Sequence, residues 1–215
     1  MAGGVAGLEA PSGPGLRRLS KSFYARDAIS VARDLVGCLF FHRHGEGLVG
    51  VRLVETEAYR GALDPGSHGY GGMTERTRSM FGPPGRLYVY FTYGMHWCVN
   101  VVCARDGVCE AVLLRAGEPA WGIELMRRRR GGCGDRLLAA GPGRLAQAMG
   151  IDKRHDGAGL LRGGSFWCAE DEETRRLRSR EELSQTTRIG LGSGRGDDLE
   201  WRFVLRGHPH ASRRS

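Results

Sequence analysis

Two carboxylates stand two residues apart in the segment "VETEAY", residues 54–59. In an extended strand such side chains project from one face, so Glu55 and Glu57 are predicted to lie side by side, with Cα atoms about 6.5–7 Å apart. Paired acids at this spacing are typical of hydrolases that cleave glycosidic bonds, and one positioned carboxylate is enough to activate water as a general base. The alternative is a strand end that emerges into solvent, so the pair indicates a site only where other polar and aromatic side chains converge on it.

Tyr59 extends the same alternation, which begins with apolar residues at 49, 51 and 53. Read at period two, these side chains and the two acids share one face that starts apolar and ends acidic and aromatic. His68 and Asn100 are further polar candidates. A lone histidine is more often structural than catalytic, and both residues join the site only if the fold brings them to Tyr59.

The segment "RLYVYFTYGMHWCVNVVC", residues 86–103, predicts a β-hairpin that turns at residues 93–95. Tyr88 and Tyr90 project from one face of it, and residues 87, 89 and 91 project from the other. The two tyrosines fit cross-strand packing within a sheet as well as they fit a binding site. Tyr93 has little core to enter at a hairpin tip, and an aromatic side chain there suits a wedge pushed into a stacked duplex.

The elements that position these residues follow from hydrophobic periodicity and from Gly and Pro punctuation. Apolar positions at helical spacing predict a helix over 20–36 that stops at Gly37. Further helices are predicted at 118–130, with Pro119 in the first turn, and at 141–150. The charged segment 169–185 is predicted to be surface loop or short helix. Besides the hairpin, strands are predicted at 38–43, 47–59, 110–116, 187–192 and 201–207, and the first two are paired through "HGEG".

Two parts of the chain differ in composition. Residues 1–16 are rich in Gly, Ala and Pro and are predicted to form a disordered N-terminal arm. Residues 17–212 are predicted to form one domain, since the chain is long enough for a single core. Because the strands cluster rather than alternate with helices, the predicted fold is mixed α/β of the α+β class. Its sheet is expected to be curved, mainly antiparallel and flanked by helices.

The net charge of +8 rests almost entirely on arginine, since Lys21 and Lys153 are the only lysines among 32 basic residues. Arginine binds phosphate bidentately and stacks on bases, which favours an anionic polymer as partner. A compositional bias of the genome would produce the same excess. The "RRRR" run at 127–130 fits either a phosphate contact or a solvated helix end.

The six cysteines form no CxxC pair, and no histidine pair has zinc-finger spacing. This pattern argues against a structural zinc site and for free thiols in a reducing compartment. The first residues lack the basic and apolar regions of a signal peptide, and no apolar run is long enough to span a bilayer. We therefore expect a cytoplasmic protein, nucleoid-associated in a bacterium, with no metal site and no membrane association.

Several long motifs in the same order resemble the alkyladenine DNA glycosylase family, also called 3-methyladenine DNA glycosylases, of the type unrelated to the helix-hairpin-helix enzymes. The motifs are "VETEAY", the "GSH" that ends eleven residues after Glu57, "LYVYFTYGMHWCVNVV", "VLLRAGEP", "GPGRLAQAMGI" and "RFVLRGHPHAS". The resemblance covers the chain from Leu19 to Ser212.

The resemblance implies a monofunctional enzyme that flips alkylated purines out of duplex DNA and hydrolyses the N-glycosidic bond. The implied bases are of the 3-methyladenine type, with hypoxanthine and ethenoadenine as further candidates. It also implies a protruding β-hairpin that inserts into the minor groove. The implied partner is double-stranded DNA that contains damaged purines, and no cofactor is expected. A monomer is the expected state, because the domain clamps one strand.

The resemblance also implies a role for individual residues. Glu57 matches the general base that activates water, and Tyr93 matches the residue that fills the space vacated in the duplex. Asn100 matches a side chain that discourages guanine. The other residues implied to lie around the flipped base are Tyr59, His68, Tyr90 and Arg115.

Two rival functions remain open on the residues themselves. A noncatalytic nucleic-acid-binding module would explain the charge and the aromatic hairpin tip, but it has no use for Glu57 beside Tyr59. A carbohydrate hydrolase would use both carboxylates, but it does not require the arginine excess or the hairpin. Glu55 discriminates between them, because a sugar hydrolase needs it for chemistry and a base-excising enzyme needs it mainly for structure.

Overall fold

Nine strands form one antiparallel sheet in residues 15–179 and 182–212, which the computed structural model describes. The strands are β1 Arg17–Arg18, β2 Leu39–His44, β3 Gly47–Tyr59, β4 Leu87–Thr92, β5 His96–Val102, β6 Ala111–Trp121, β7 Phe166–Glu170, β8 Leu183–Thr186 and β9 Arg202–Leu205. Their order is β1-β7-β2-β3-β6-β5-β4, and β9 pairs with both β3 and β8. The long strand β3 is central, because residues 47–52 pair with β2, residues 50–59 pair with β6 and residues 55–57 pair with β9.

Helices accompany this sheet. The five α-helices of the described residues are α1 Lys21–Tyr24, α2 Ala28–Leu35, α3 Ile123–Arg129, α4 Pro142–Met149 and α5 Glu172–Ser179. Short 3-10 turns lie at Gly61–Leu63, Arg78–Phe81, Asp135–Leu137 and Lys153–His155. The predicted α+β class with one mainly antiparallel sheet is confirmed.

Helix ends follow the local chemistry of the sequence. The Asp27 carboxylate accepts the Ser30 N–H at 3.0 Å and so starts α2. Helix α4 has Pro142 in its first turn and ends at Gly150, whose φ of 68° is the left-handed conformation that suits glycine. Both helices bury one apolar face.

One face of the sheet carries the main hydrophobic core. Alternate residues of four neighbouring strands supply it: Val54 and Ala58 of β3, Val112, Leu114 and Ala116 of β6, Val99 and Val101 of β5, and Leu87 and Val89 of β4. Helices α2 and α4 pack on it through buried residues such as Val31, Leu35 and Leu145. The intervening residues of the same strands therefore project from the opposite face.

A β-bulge in β3 changes which residues face the core. Leu53 pairs with Gly117 and Glu55 pairs with Ala116, so Val54 has no partner in β6. Leu53 and Val54 both belong to the main core although they are adjacent. Odd-numbered residues face the core before the bulge, and even-numbered residues face it afterwards. The prediction that residues 49, 51, 53, 55, 57 and 59 share one face is therefore wrong, since the last three point away from the core.

Other predicted elements are also corrected. The helix predicted over 20–36 is two helices, because Asp27 begins a new one. Strand β6 continues to Trp121, so Pro119 lies in the strand beside a register shift, where a ladder hydrogen bond is already interrupted. Residues 187–192 form no strand, since β8 ends immediately before them. The sequence analysis also missed β7, a short strand that is buried along its whole length.

The predicted N-terminal arm lies mostly outside the described residues, which begin at Gly15. Leu16 packs against a small cluster that contains Leu39, Phe41, Leu48 and Trp167. Within the described ranges, no helix combines the length and the apolar character that crossing a bilayer requires.

Candidate active site

The sheet face opposite the main core forms one wall of a cavity of about 1000 Å³. Cross-strand register places its polar and aromatic residues together, because Asn100 pairs with both Tyr88 and Leu113, and Cys98 pairs with Tyr90. The cavity lining includes six residues proposed from the sequence: Tyr59, His68, Tyr90, Tyr93, Asn100 and Arg115. The fold therefore brings these side chains to one cavity, and their individual roles stay predictions.

Glu57 lies directly behind this wall and is fully buried. Its Oε1 accepts the Ile189 N–H at 2.8 Å, and its Oε2 accepts the Tyr59 hydroxyl at 2.9 Å. Nη1 of Arg115 lies 3.3 Å from the same Oε1. Tyr59, Arg115 and Ile189 all line the cavity, whereas Glu57 does not. The Glu57 carboxylate therefore lies behind these three neighbours, which separate it from the cavity.

Glu55 has a different environment on the same strand. Its two oxygens accept four hydrogen bonds: from Arg115 Nε at 2.9 Å, from Arg202 Nη1 at 2.9 Å, from the Ser212 hydroxyl at 2.8 Å and from the Ser212 N–H at 2.7 Å. Two guanidinium groups thus neutralise a carboxylate that is fully buried. Because Glu55 is buried and already accepts four hydrogen bonds, it is not available to act as a second catalytic carboxylate. This argues against the carbohydrate-hydrolase alternative.

Arg115 links the two acids. Burial opposes its charge, but the carboxylates of Glu57 and Glu55 outweigh that cost and raise the pKa of the guanidinium above its ordinary value. Arg115 therefore stays charged between the acids and presents one edge to the cavity. It lies in β6 opposite a third register shift, between Glu55 and Thr56, which leaves it without a partner in β3.

Aromatic rings enclose the other side of the cavity. Tyr88 and Tyr90 stack with ring centroids 5.4 Å apart, and His68 meets Tyr90 edge-to-face at 4.5 Å. His68 Nδ1 shares a hydrogen bond of 3.0 Å with the Tyr88 hydroxyl. Burial, with a smaller effect of the charge of Arg76, lowers the pKa of His68 below 6.5, so the imidazole is neutral at pH 7.

Three phenols of the cavity, those of Tyr59, Tyr88 and Tyr90, are protonated at neutral pH. Burial and then the carboxylate of Glu57 raise the pKa of Tyr59 well above 10. Burial is also the main cause that raises the pKa of Tyr88 to about 12 and the pKa of Tyr90 above its ordinary range. These groups therefore offer hydrogen-bond donors and neutral π-faces. Asn100 is buried beside them and donates its side-chain N–H to the Tyr88 carbonyl at 3.2 Å.

The hairpin of β4 and β5 ends at an exposed and strained tyrosine. Tyr93 has a φ of 51° and Gly94 a φ of 65°, and the Met95 N–H donates to the Thr92 carbonyl at 3.2 Å. Two successive positive φ angles are characteristic of the tight turn that matches hairpin twist, but a tyrosine there costs about 1 kcal/mol or more. The side chain is 79% exposed. Such an outlier at a cavity mouth points to a functional demand.

Arginine surrounds the cavity mouth. Arg130, Arg136, Arg144 and Arg195 belong to its lining. The run at 127–130 is mostly engaged elsewhere, because Arg127 pairs with Asp135 and Arg129 with Glu46. Of this run, only Arg130 reaches the cavity. Within the described part of the chain, no group of three or more His, Cys, Asp or Glu side chains is placed to hold a metal ion.

Sequence reasoning missed several residues that complete the site. The Ile189 amide and the Ser212 hydroxyl reach the acids from segments without regular structure. Arg188 forms a fully buried ion pair with Asp64, 124 positions away. No periodicity or local motif could have found these contacts, because they depend on how distant loops meet.

Comparison with known proteins places the chain among DNA repair enzymes. The family model described as Methylpurine-DNA glycosylase (MPG) matches residues 22–209. A protein of Methanoculleus marisnigri is 47% identical over 197 residues, which is 91% of this chain and 99% of the relative. A protein of Carboxydothermus hydrogenoformans is 42% identical over 196 residues, with 91% and 99% covered, and one of Burkholderia lata is 44% identical over 207 residues, 96% of each chain. All three carry the name "Putative 3-methyladenine DNA glycosylase".

Proposed function

The chain belongs to the methylpurine-DNA glycosylase family, and we propose that its cavity receives an alkylated purine flipped out of duplex DNA, with Glu57 as the general base. The chain is a DNA glycosylase of the 3-methyladenine type. The proposed role of Glu57 rests on one observation: the Ile189 N–H and the Tyr59 hydroxyl hold its carboxylate behind the wall of an aromatic cavity.

The base must be flipped because Glu57 cannot otherwise reach its glycosidic bond. A base inside a duplex is stacked and paired, so its glycosidic bond cannot meet a carboxylate that is buried behind a cavity wall. Extruding the nucleotide costs a few kcal/mol. Tyr93 is proposed to offset part of this cost by entering the vacated space in the base stack. Its exposure and its position at the cavity mouth support that role.

The proposed reaction is a hydrolysis at C1′ of the flipped nucleotide. Glu57 accepts a proton from a water molecule as the water oxygen bonds to C1′. The bond from C1′ to the purine nitrogen breaks, and its electron pair leaves with the base, so a cationic alkylated purine departs neutral and a neutral purine takes up one proton from water. Arg115 lies 3.3 Å from Glu57 Oε1 and lines the cavity, so it orients the base and the incoming water. The products are a free purine and an abasic site in an intact backbone.

Recognition of the lesion is proposed to rest on the aromatic rings. A purine alkylated on a ring nitrogen, such as 3-methyladenine in DNA, carries positive charge and is already a good leaving group. Tyr59 and Tyr90 offer neutral π-faces, which attract a desolvated cation by about 2 kcal/mol. The same rings stack on neutral purines such as hypoxanthine and ethenoadenine, which are therefore included in the proposed range.

The test is incubation with methylated duplex DNA, followed by chromatography of released bases and counting of abasic sites. We expect release of 3-methyladenine and no strand cleavage. Neither Lys21 nor Lys153 lines the cavity, so the described residues offer no lysine amine to attack C1′. Borohydride trapping of a covalent adduct with DNA would contradict hydrolysis by water, and DNA that keeps all its methylated bases would contradict the proposed substrate.

Asn100 is proposed to set selectivity against guanine, whose 2-amino group is absent from adenine and hypoxanthine. The residue is buried against the Tyr88 carbonyl and lines the cavity, so it has little freedom to move aside. In the same assay, Asn100→Ser should raise the release of 7-methylguanine relative to 3-methyladenine. An unchanged ratio would assign the selectivity to another residue.

A further inference from the structure

We infer that the buried Arg188–Asp64 ion pair is a positioning element for Glu57, an inference that rests on the proposed role of Glu57 as general base. Nη1 and Nη2 of Arg188 donate to the two oxygens of Asp64 at 2.6 and 2.7 Å. Both side chains are completely buried. A buried pair of this kind gives little net stability relative to apolar packing, so its presence calls for another explanation.

The pair joins two loops to the end of β3. Asp64 also accepts the Arg60 N–H at 3.1 Å and the Gly66 N–H at 3.0 Å, which fixes the turn after β3. Arg188 also donates to the Ala58 carbonyl at 3.0 Å and to the Gly196 carbonyl at 3.1 Å. One guanidinium therefore holds the turn, the strand and the segment 187–199 in one arrangement.

Both hydrogen-bond donors to Glu57 depend on this arrangement. Ile189, whose N–H binds Oε1, is the residue after Arg188. The ring of Tyr59, whose hydroxyl binds Oε2, lies under the Arg188 guanidinium at 4.7 Å, and the ring of Trp201 lies at 5.1 Å. Arg188 is thus attached to one donor by a peptide bond and to the other by a ring contact.

Little else fixes the position of Ile189. Residues 187–199 contain neither helix nor strand, so no ladder of backbone hydrogen bonds holds the Ile189 amide. The nearest other anchor is Arg202 Nε, which donates to the Thr187 carbonyl at 3.0 Å. Loosening the ion pair should therefore let Ile189 move away from Glu57. A misplacement of about 1 Å in catalytic geometry costs on the order of 100-fold in rate.

The test compares Arg188→Lys with Arg52→Lys. Arg52 also forms a bidentate pair, with Asp171 at 3.0 and 2.7 Å, and also donates to a backbone carbonyl, that of Gly37. It does not line the cavity, and its pair is partly exposed, so it is a control for weakening an arginine–aspartate pair away from the site. Asp64→Asn provides a second variant that keeps the shape of the side chain and removes its charge.

Two readouts are measured on each variant. The first is amide hydrogen exchange of Ile189 in the free protein, which needs no substrate. The second is single-turnover excision with enzyme in excess, together with affinity for the same lesion duplex. We expect Arg188→Lys and Asp64→Asn to speed Ile189 exchange at least tenfold and to slow excision about 10- to 100-fold. DNA affinity should change less than threefold, and Arg52→Lys should change neither Ile189 exchange nor the excision rate.

Three results would overturn the inference. One is unchanged Ile189 exchange in both variants of the pair. Another is equal slowing by Arg52→Lys, which would show a general effect of lower stability. The third is a normal excision rate despite a mobile Ile189. If the wild-type protein releases no methylated base, the proposed function fails, while the exchange of the Ile189 amide still decides whether the pair positions that loop.

Discussion

Glu55 and Glu57 lie two residues apart on β3, and both are fully buried, yet their surroundings differ. Glu55 accepts four hydrogen bonds and touches two arginines, Arg115 and Arg202. Glu57 accepts one N–H and one hydroxyl and touches only the edge of Arg115. The first carboxylate is surrounded by two guanidinium groups and Ser212, whereas the second accepts its two hydrogen bonds from residues that line the cavity.

The two acids thus share a strand face but not an environment. Glu55 is expected to contribute to stability, and Glu57 is expected to contribute to the chemistry. Variants that separate stability from activity can therefore test the comparison directly.

The largest expected effect is on the excision rate of a Glu57 variant. Glu57→Gln keeps the shape of the side chain but cannot accept a proton at neutral pH, so excision should fall about 10²- to 10⁴-fold. Lesion binding should change little, since most of the affinity for DNA comes from phosphate contacts. Single-turnover excision and gel-shift affinity on one modified duplex measure both quantities. Excision at the wild-type rate would remove Glu57 from the mechanism.

Glu55→Gln should show the opposite pattern. The amide removes the buried carboxylate that pairs with Arg202 and leaves Arg115 with Glu57 alone, and breaking a buried pair costs about 3–5 kcal/mol. Urea unfolding should therefore reveal a large loss of stability, while the excision rate of the folded protein stays within about tenfold of the wild type. A stable variant without activity would mean that both carboxylates act in chemistry and would break the comparison.

A third variant tests stability at His42, which does not line the cavity. His42 stacks on Phe166 with ring centroids 3.9 Å apart, and its Nδ1–H donates to the Met149 carbonyl at 2.7 Å. Burial, with smaller effects of His155, His44 and Arg129, lowers the pKa of His42 from 6.5 to about 4. The folded state therefore favours neutral His42, so its stabilising effect is present above pH 6.5 and is lost as pH falls towards 4.

This linkage amounts to about 3 kcal/mol across that pH window. His42→Gln keeps a donor for the Met149 carbonyl and removes the titrating group. Urea unfolding from pH 7 to pH 4.5 should therefore show a shallower decline in stability than the wild type, with excision unchanged at pH 7. Identical declines would assign the acid sensitivity to other groups.

The smallest effect concerns the exposed hairpin tip. Tyr93→Gly relieves the positive φ, so the free energy of unfolding should stay the same or rise by up to about 1 kcal/mol. Excision of well-paired lesions should fall about tenfold, since stacking one aromatic ring on bases contributes about 1–3 kcal/mol. Mispaired lesions should be affected less. Tyr70→Ala, at another exposed tyrosine outside the cavity, is the control and should leave both classes of lesion unchanged.

The sequence predicts the hairpin, the pairing of β2 with β3 and the helix α4, because each rests on local alternation or on Gly and Pro punctuation. It does not predict the bulge at Val54, since one extra residue in a strand leaves no mark in composition. Pro119 misleads the prediction of a helix, because proline fits a helix start as well as an irregular strand pairing. Strand β7 escapes notice because a short buried strand lacks alternation.

The candidate site divides in the same way. Six cavity residues could be chosen from motifs, and register brings them together. The hydrogen bonds from Ser212 to Glu55 and from Ile189 to Glu57 could not be predicted, because they join segments more than 100 residues apart. Long-range loop contacts have no sequence signal in a single chain.

The bulge at Val54 lies where β3 exchanges one neighbour for another. Residues before it pair with β2, and residues after it pair with β9. Strand β3 therefore joins two parts of the sheet: strands β1, β7 and β2 on one side, and the strands that carry the cavity wall on the other. Strand β2 occupies this edge of β3 up to Arg52 and β9 occupies it from Glu55 to Glu57, so an insertion in β9 would disturb the register beside the two acids and leave the pairing with β2 intact.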